Sequence, residues 1–256
     1  MKNLFLFLFL LVVFTSKAQD NRVSGLNSRQ FTKYWKVESE SPDYKVTFQG
    51  DTAEIVSPKG LTLWRKEKMS GKVTIEYDAC VVVESDGDRL GDLNCFWMAS
   101  DPQYPDNLWK REKWRSGIFL NCYSLQLYYL GYGGNHNSTT RFRRYDGDES
   151  GITNPKARPA ILKEYTDAGH LLKITNENNR VSYYIDGERL VDFRDAEPLR
   201  EGWFGFRTTL SRTRITNFSY ECSSQEAAAV PLQWIGETPR QDKAVSFGVP
   251  FDKGEV

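Results

Sequence analysis

Val181-Ser182-Tyr183-Tyr184-Ile185-Asp186-Gly187-Glu188-Arg189-Leu190-Val191-Asp192-Phe193 reads as two strands closed by a two-residue turn. Asp-Gly supplies the positive φ angles of a primed turn, and both arms alternate with the period of two that a half-buried strand shows. Outward from this hairpin the same pattern repeats. From about Phe31 to Tyr220, short runs rich in Val, Ile, Phe, Tyr and Thr are separated by Gly, Asp, Asn and Pro. Among them are Lys45 to Gln49, Val73 to Glu84, Asn94 to Ala99, Gly117 to Cys122, Leu125 to Tyr129, Thr140 to Tyr145, His170 to Asn176 and Trp203 to Thr208. No run holds a helical period over a useful length. Many short strands without intervening helices predict an all-β, antiparallel sandwich or barrel.

The stretch from Leu130 to Gly147, Leu-Gly-Tyr-Gly-Gly-Asn-His-Asn-Ser-Thr-Thr-Arg-Phe-Arg-Arg-Tyr-Asp-Gly, carries the chemistry. It opens with glycine turns and then alternates as a strand, so Arg141 and Arg143 share one face while Phe142 and Arg144 take the other. Aromatic faces stack on sugar rings, amides bond hydroxyls, and guanidinium forks pair with carboxylates. That combination predicts a site for an acidic carbohydrate, against the plainer reading of a hairpin with a solvated cationic face. Elimination at a uronic acid needs a group to neutralise the carboxylate, a base and an acid. Arg141 and Arg143 are the expected carboxylate ligands, assisted by Asn135 or Asn137. His136 is the expected base, and Tyr132 or Tyr145 the base or acid. Trp97, Trp109 and Trp114 are expected to stack on sugar, with core packing as the alternative for each. Phe96 and Trp97 must face opposite sides of their strand.

Residues Met1 to Ala18 read as a secretory signal, with Lys2, the apolar run from Leu4 to Phe14, and Ser16-Lys17-Ala18 before Gln19. The expected location is secreted or periplasmic. The apolar run is shorter than the roughly 20 residues needed to span a bilayer, so no membrane partner is expected. The chain has 34 basic and 34 acidic residues, and losing Lys2 and Lys17 with the signal leaves a formal charge of −2, which argues against a nucleic-acid partner. Cys80, Cys95, Cys122 and Cys222 form no C-x-x-C pair; they suit either a disulfide or buried thiols, and not zinc. No cofactor is expected beyond a calcium option at Asp146-Gly147-Asp148-Glu149, where a simple turn competes. Neither that cluster nor Glu84-Ser85-Asp86 has the strand setting of a hydrolytic carboxylate pair. After Cys222 the sequence shifts to a Ser/Gln/Ala linker and a tail too short for its own core.

The run from Tyr183 to Phe193, followed by Pro198-Leu199-Arg200-Glu201-Gly202-Trp203-Phe204-Gly205-Phe206-Arg207 and Ile215-Thr216-Asn217-Phe218, resembles the C-terminal half of concanavalin A-like jelly-roll domains. That resemblance covers about residues 30 to 222. It implies an antiparallel two-sheet jelly-roll sandwich with a concave sugar-binding face. The run from Tyr132 to Gly147 is similar to YesU-like secreted bacterial proteins linked to rhamnogalacturonan degradation. In the tail, Val230 to Gly236 and Val245 to Val256 resemble the opening of the large domain of exo-acting rhamnogalacturonan lyases. The implied organisation is a signal (1–18), an N-terminal extension (19–30), a jelly roll (31–222), and a linker and tail (223–256) that either opens a further domain or is a remnant docked on the sandwich. The implied function is action on a pectin-type acidic polysaccharide, as a polysaccharide lyase or lyase-associated domain. A non-catalytic carbohydrate-binding module, and a hydrolase or hydratase of modified sugars, are the alternatives.

Overall fold

The computed structural model describes residues 22–84, 88–154 and 169–223, all in one unit that ends at Gln225. The expected signal, the loop beyond residue 154 and the tail from Ser224 lie outside the described residues. Fifteen strands are described. In chain order they are β1 (Arg22–Ser24), β2 (Trp35–Ser39), β3 (Lys45–Gln49), β4 (Thr52–Ser57), β5 (Leu61–Arg65), β6 (Met69–Ser70), β7 (Lys72–Val81), β8 (Asn94–Ser100), β9 (Gln126–Gly133), β10 (Thr139–Asp146), β11 (His170–Glu177), β12 (Arg180–Ile185), β13 (Glu188–Arg194), β14 (Glu201–Thr208) and β15 (Ser211–Ser223). An eight-stranded sheet runs β13-β12-β11-β7-β15-β4-β3 with β1 beside β15, and a seven-stranded sheet runs β10-β9-β8-β14-β5-β2 with β6 beside β14. Every pairing is antiparallel.

The expected hairpin is β12–β13. Asp186 and Gly187 both take positive φ, 51° and 80°, and Ile185 pairs with Glu188 across them. Alternation sets the core: in β4, and in β7 as far as Ala79, the buried residues are every second one. Their inward side chains meet those of the other sheet around Trp35, Trp97, Tyr128, Phe204, Phe206 and Phe218. A second buried cluster lies on the opposite side of the seven-stranded sheet, where Trp64, Phe96, Leu127, Tyr129 and Trp203 meet Leu108, Cys122 and Leu125. The seven-stranded sheet is therefore covered on both faces over part of its area, and β5, β8 and β14 lose the polar-out alternation of a half-solvated sheet.

Several sequence expectations are corrected. Gly117 to Cys122 is not a strand: it belongs to a helical connection in which Leu120–Ser124 forms a 3-10 turn. Gly131 lies inside β9, and it is Gly133, at φ 69°, with Gly134 that opens the turn. Part of the expected extension joins the sandwich, because β1 pairs with β15 and Leu26 is in the core. No disulfide joins the four cysteines; burial pushes the Cys95 thiol up to about 12 and the Cys122 thiol up to about 11. Among the described residues, no helix is long and apolar enough to cross a membrane.

Candidate functional site

Strand β10 carries the arginines. Its register against β9 sets Arg141 opposite Gly131, Arg143 opposite Tyr129 and Tyr145 opposite Leu127. Tyr129 and Leu127 belong to the outer cluster of the seven-stranded sheet, so Arg141, Arg143 and Tyr145 all point to that outer face. Phe142 enters the inter-sheet core. Arg144, on the same side as Phe142, is tied to Asp195 at 2.7 Å, to Asp146 and to the Glu197 carbonyl at 2.8 Å, and Asp195 also accepts from the Tyr128 hydroxyl at 2.6 Å. The third arginine of the motif is thus structural.

Two rows of side chains cross the outer face. One runs Arg143–Tyr129–Phe96–Gly205–Trp64–Lys36 through successive strand pairings. The adjacent row contains Arg141 and Gly131 on one side and Asn94–Arg207–Thr62–Glu38 on the other. Gly131 matters because the Tyr129 side chain lies over it: a Cβ at residue 131 would stand 2.4 Å from the Tyr129 hydroxyl oxygen. Burial pushes the Tyr129 hydroxyl well above its ordinary range, Tyr145 and Asp92 push the same way, and Arg207 and Arg143 pull it back. Tyr129 therefore keeps its proton at neutral pH. Burial lowers the Arg143 pKa, but the hydroxyls of Tyr145, Tyr129 and Tyr123 raise it by more, so the guanidinium stays charged. Arg143 Nε and the Tyr145 hydroxyl nonetheless lack a well-aligned hydrogen bond.

The connection between β8 and β9 folds back over the other half of this face. It is anchored by Arg115, fully buried, which bonds Glu38 at 2.6 Å and the Leu108 carbonyl at 2.6 Å. Arg111 grips buried Asp101 through two bonds of 2.6 and 2.7 Å. Arg207 donates to the Gly117 carbonyl, and Gly117 takes φ +71 where a Cβ would stand 2.7 Å from the Glu38 carbonyl oxygen. Phe119 from this connection packs on Tyr129 at 5.4 Å between centroids and on Phe96 at 6.4 Å. The arginine end of the face is bordered on one side by Phe119 and on the other by the turn between β9 and β10. In that turn Asn135, His136 and Asn137 take φ values of 50°, 55° and 59°, a run of three left-handed residues without glycine. Asn135 and His136 are exposed and Asn137 is half-buried.

Residues 55–218 match the family described as a domain of unknown function, DUF6250. The chain belongs to that family. A comparison with curated proteins gave no match. Among solved structures, the chain is similar to a Bacillus subtilis protein of unknown function with a galectin-like fold, at 17% identity and a TM-score of 0.64, over 78% of this chain and 94% of that one. It is also similar to the exoplasmic/lumenal domain of VIP36 in a calcium- and mannose-bound form, at 11% identity and a TM-score of 0.55, over 90% of this chain and 99% of that one. These likenesses establish the fold of this DUF6250 chain as a galectin-like, jelly-roll sandwich.

The DUF6250 domain brings together only part of the expected site. Arg141 and Arg143 share the outer face as expected, and the exposed turn residues Asn135 and His136 border it. Trp97 does not: it is fully buried between the sheets, while Phe96 takes the outer side. Tyr145 has the right face but is fully buried beneath Tyr123 and out of reach of a ligand. Tyr132 points to the other side of β9, its ring against His170, and burial pushes its hydroxyl up to about 12. Trp109 packs edge-on against Trp203, which satisfies the packing alternative. Trp114 is half exposed with the Arg111 guanidinium over its ring, on the connection rather than on the sheet face. Asp146 pairs with Arg144 and Asp148 accepts from the Ser150 amide, the turn roles weighed against calcium; among the described residues no cluster of three His, Cys, Asp or Glu is arranged to hold a metal ion. Sequence reasoning missed Tyr129, Phe119 and Asn94. Gly131, which clears the space for the Tyr129 ring, is the one local signal for them.

Gly131→Ala tests that placement. The added methyl meets the buried Tyr129 ring, which Phe96, Phe119 and Tyr145 pack, so stability should fall by about 1–3 kcal/mol. The Tyr129 ring must move, and ligand binding at the arginine end should weaken in protein that the thermal midpoint shows to be still folded. An unchanged affinity would remove Tyr129 from the site.

Proposed function

We propose that this domain binds an acidic carbohydrate at the arginine end of the outer face of its seven-stranded sheet. One observation carries the reading: Arg141 and Arg143 project from one strand face with no carboxylate partner among the described residues, and Arg141 has no hydrogen bond at all there. Arginines two apart on a strand stand roughly 7 Å apart along the chain, within reach of a single planar carboxylate. The half-buried Phe119 ring, packed on buried Tyr129 beside them, offers an apolar edge for a sugar ring. The mannose-bound VIP36 domain of similar fold is consistent with a sugar ligand. The specific ligand we propose is a pectin-type polysaccharide of the rhamnogalacturonan class, met by an exported protein.

Catalysis at the same place is a second reading, favoured by the exposed His136 in the turn beside the arginines. In β-elimination, arginine neutralises the uronate carboxylate, a base removes the proton beside it, and an acid protonates the departing oxygen. Exposed His136 would supply the base, and the acid would have to come from the solvent side of the face, because Tyr129 is buried. The separating experiment incubates the purified chain with polygalacturonate and rhamnogalacturonan, reading retention in affinity gels and ultraviolet absorbance of unsaturated uronate. Retention without absorbance makes the domain a binding module. Absorbance that falls about 100-fold in His136→Ala, with retention kept, makes it a lyase. Neither retention nor absorbance on any acidic glycan would end the proposal.

A further inference from the structure

We propose that the outer face of the eight-stranded sheet holds a second ligand site, one that takes a neutral, hydroxyl-rich molecule of monosaccharide size. A cavity of about 410 Å³ opens there, within the roughly 300–1,000 Å³ typical of small-molecule sites. Strand register explains its chemistry. Cys80 pairs with Arg214, Arg214 with Glu54 and Glu54 with Thr47, which sets one row of outward side chains across β7, β15, β4 and β3. Two residues along, Asp78 pairs with Thr216 and Thr52 with Gln49 in a second row. Threonines at the centre of that row leave depth where longer side chains would fill the sheet surface. The β15 bulge between Thr216 and Ser219, with Asn217 at φ 54°, breaks the ladder at the edge of the cavity, a device that re-aims side chains. Gly169 forms a close wall, since a Cβ there would stand 3.1 Å from the Ala79 carbonyl oxygen.

The cavity lining carries two carboxylates, Glu54 and Asp78, against one arginine, Arg214. Arg214 Nε donates to Glu54 at 2.7 Å, and Asn217 donates to Asp78 at 2.6 Å. An anion would meet two carboxylates and an arginine that is already paired. A sugar or polyol fits better: its hydroxyls donate to the second oxygens of Glu54 and Asp78, exchange hydrogen bonds with Thr47, Thr52 and Thr216, and accept from the Gln49 amide. The methyl groups of Thr47, Thr52 and Thr216 add small apolar patches for ring carbons. This preference is opposite to that of the arginine end of the other sheet, so the two sites are chemically separate.

Saturation-transfer NMR on the full chain with glucose, galactose, mannose, xylose and arabinose, each added singly, tests the site. At least one should give a saturable signal. Thr216→Trp fills the cavity with a side chain that strands tolerate well, and should weaken that sugar at least about tenfold. Thr52→Tyr gives the same obstruction from β4 should the first variant misfold, with the thermal midpoint as the folding check. Arg141→Ala should leave the signal unchanged. No saturable signal from any of the five, a signal that survives both filling variants, or one lost with Arg141 would each overturn the inference. Acidic-glycan retention is read separately, so failure of either site is distinguishable from failure of the other.

Discussion

Replacing Arg115 with methionine is expected to lower the unfolding free energy by about 3–5 kcal/mol, measured as a reduced urea midpoint at unchanged slope. The size of the effect comes from what remains. Arg115 and Glu38 are buried together, with side-chain exposures of 0% and 3%, and the substitution strands a carboxylate that water cannot reach. The Leu108 carbonyl loses its guanidinium donor as well. Removing both charges, as Glu38→Leu with Arg115→Met, should recover much of the deficit, because apolar groups of similar volume replace a buried pair at little cost. The deficit should also depend on pH. Burial raises the folded pKa of Glu38, and Arg115 pulls it back. A carboxyl whose folded value lies above its unfolded one stabilises the fold while protonated and loses that contribution as the pH rises through the folded value. Without Arg115 the folded value climbs further, so the deficit should be smallest in acid and widen toward neutral pH. A variant within about 1 kcal/mol of the parent at neutral pH would show that this pair does not clamp the connection to β2.

The double variant Arg141→Ala, Arg143→Ala is expected to weaken acidic-glycan binding by roughly a hundredfold or more, since each hydrogen bond to a charged group contributes about 1.5–3 kcal/mol. The two residues differ in what else they support. Arg141 is exposed and makes no hydrogen bond or ion pair among the described residues, so Arg141→Ala alone should leave the thermal midpoint in place. Arg143 is half-buried against Tyr129, Tyr145 and Tyr123, and its removal should lower the midpoint modestly as well as binding. Because the contact is charged and partly solvated, parental affinity should fall with added salt and the double variant should lose most of that dependence. Undiminished retention of the double variant would detach the arginines from ligand binding.

The fold was legible because period-two alternation is a local property. The Asp186-Gly187 turn and the split of Arg141 and Arg143 from Phe142 and Arg144 follow from neighbours in the chain, and the structure keeps both. The site was legible only where it is local too. Tyr129 faces Arg143 through a β9–β10 pairing that alternation alone cannot register, and Arg207 reaches the same face from β14, more than sixty residues away. In the segment Trp109-Lys110-Arg111-Glu112-Lys113-Trp114-Arg115 both tryptophans were expected to stack on sugar, with core packing as the alternative. The charges of the segment are largely internal: Arg111 and Arg115 are held by Asp101 and Glu38, and Trp109 packs on Trp203. A buried arginine looks like a surface one until its partner, here 77 positions away, is known.

The anchors of that connection come from β2, β14 and the end of β8, which meet only after strands distant in sequence have paired. Contacts of such long reach form late, because chain closure must come before they reward it. The covering segment is therefore expected to order only with the sheet that anchors it. A chain in which those strands had not paired would leave Trp64, Phe96 and Trp203 bare, so dye binding to exposed aromatic surface is expected to fall as the connection docks.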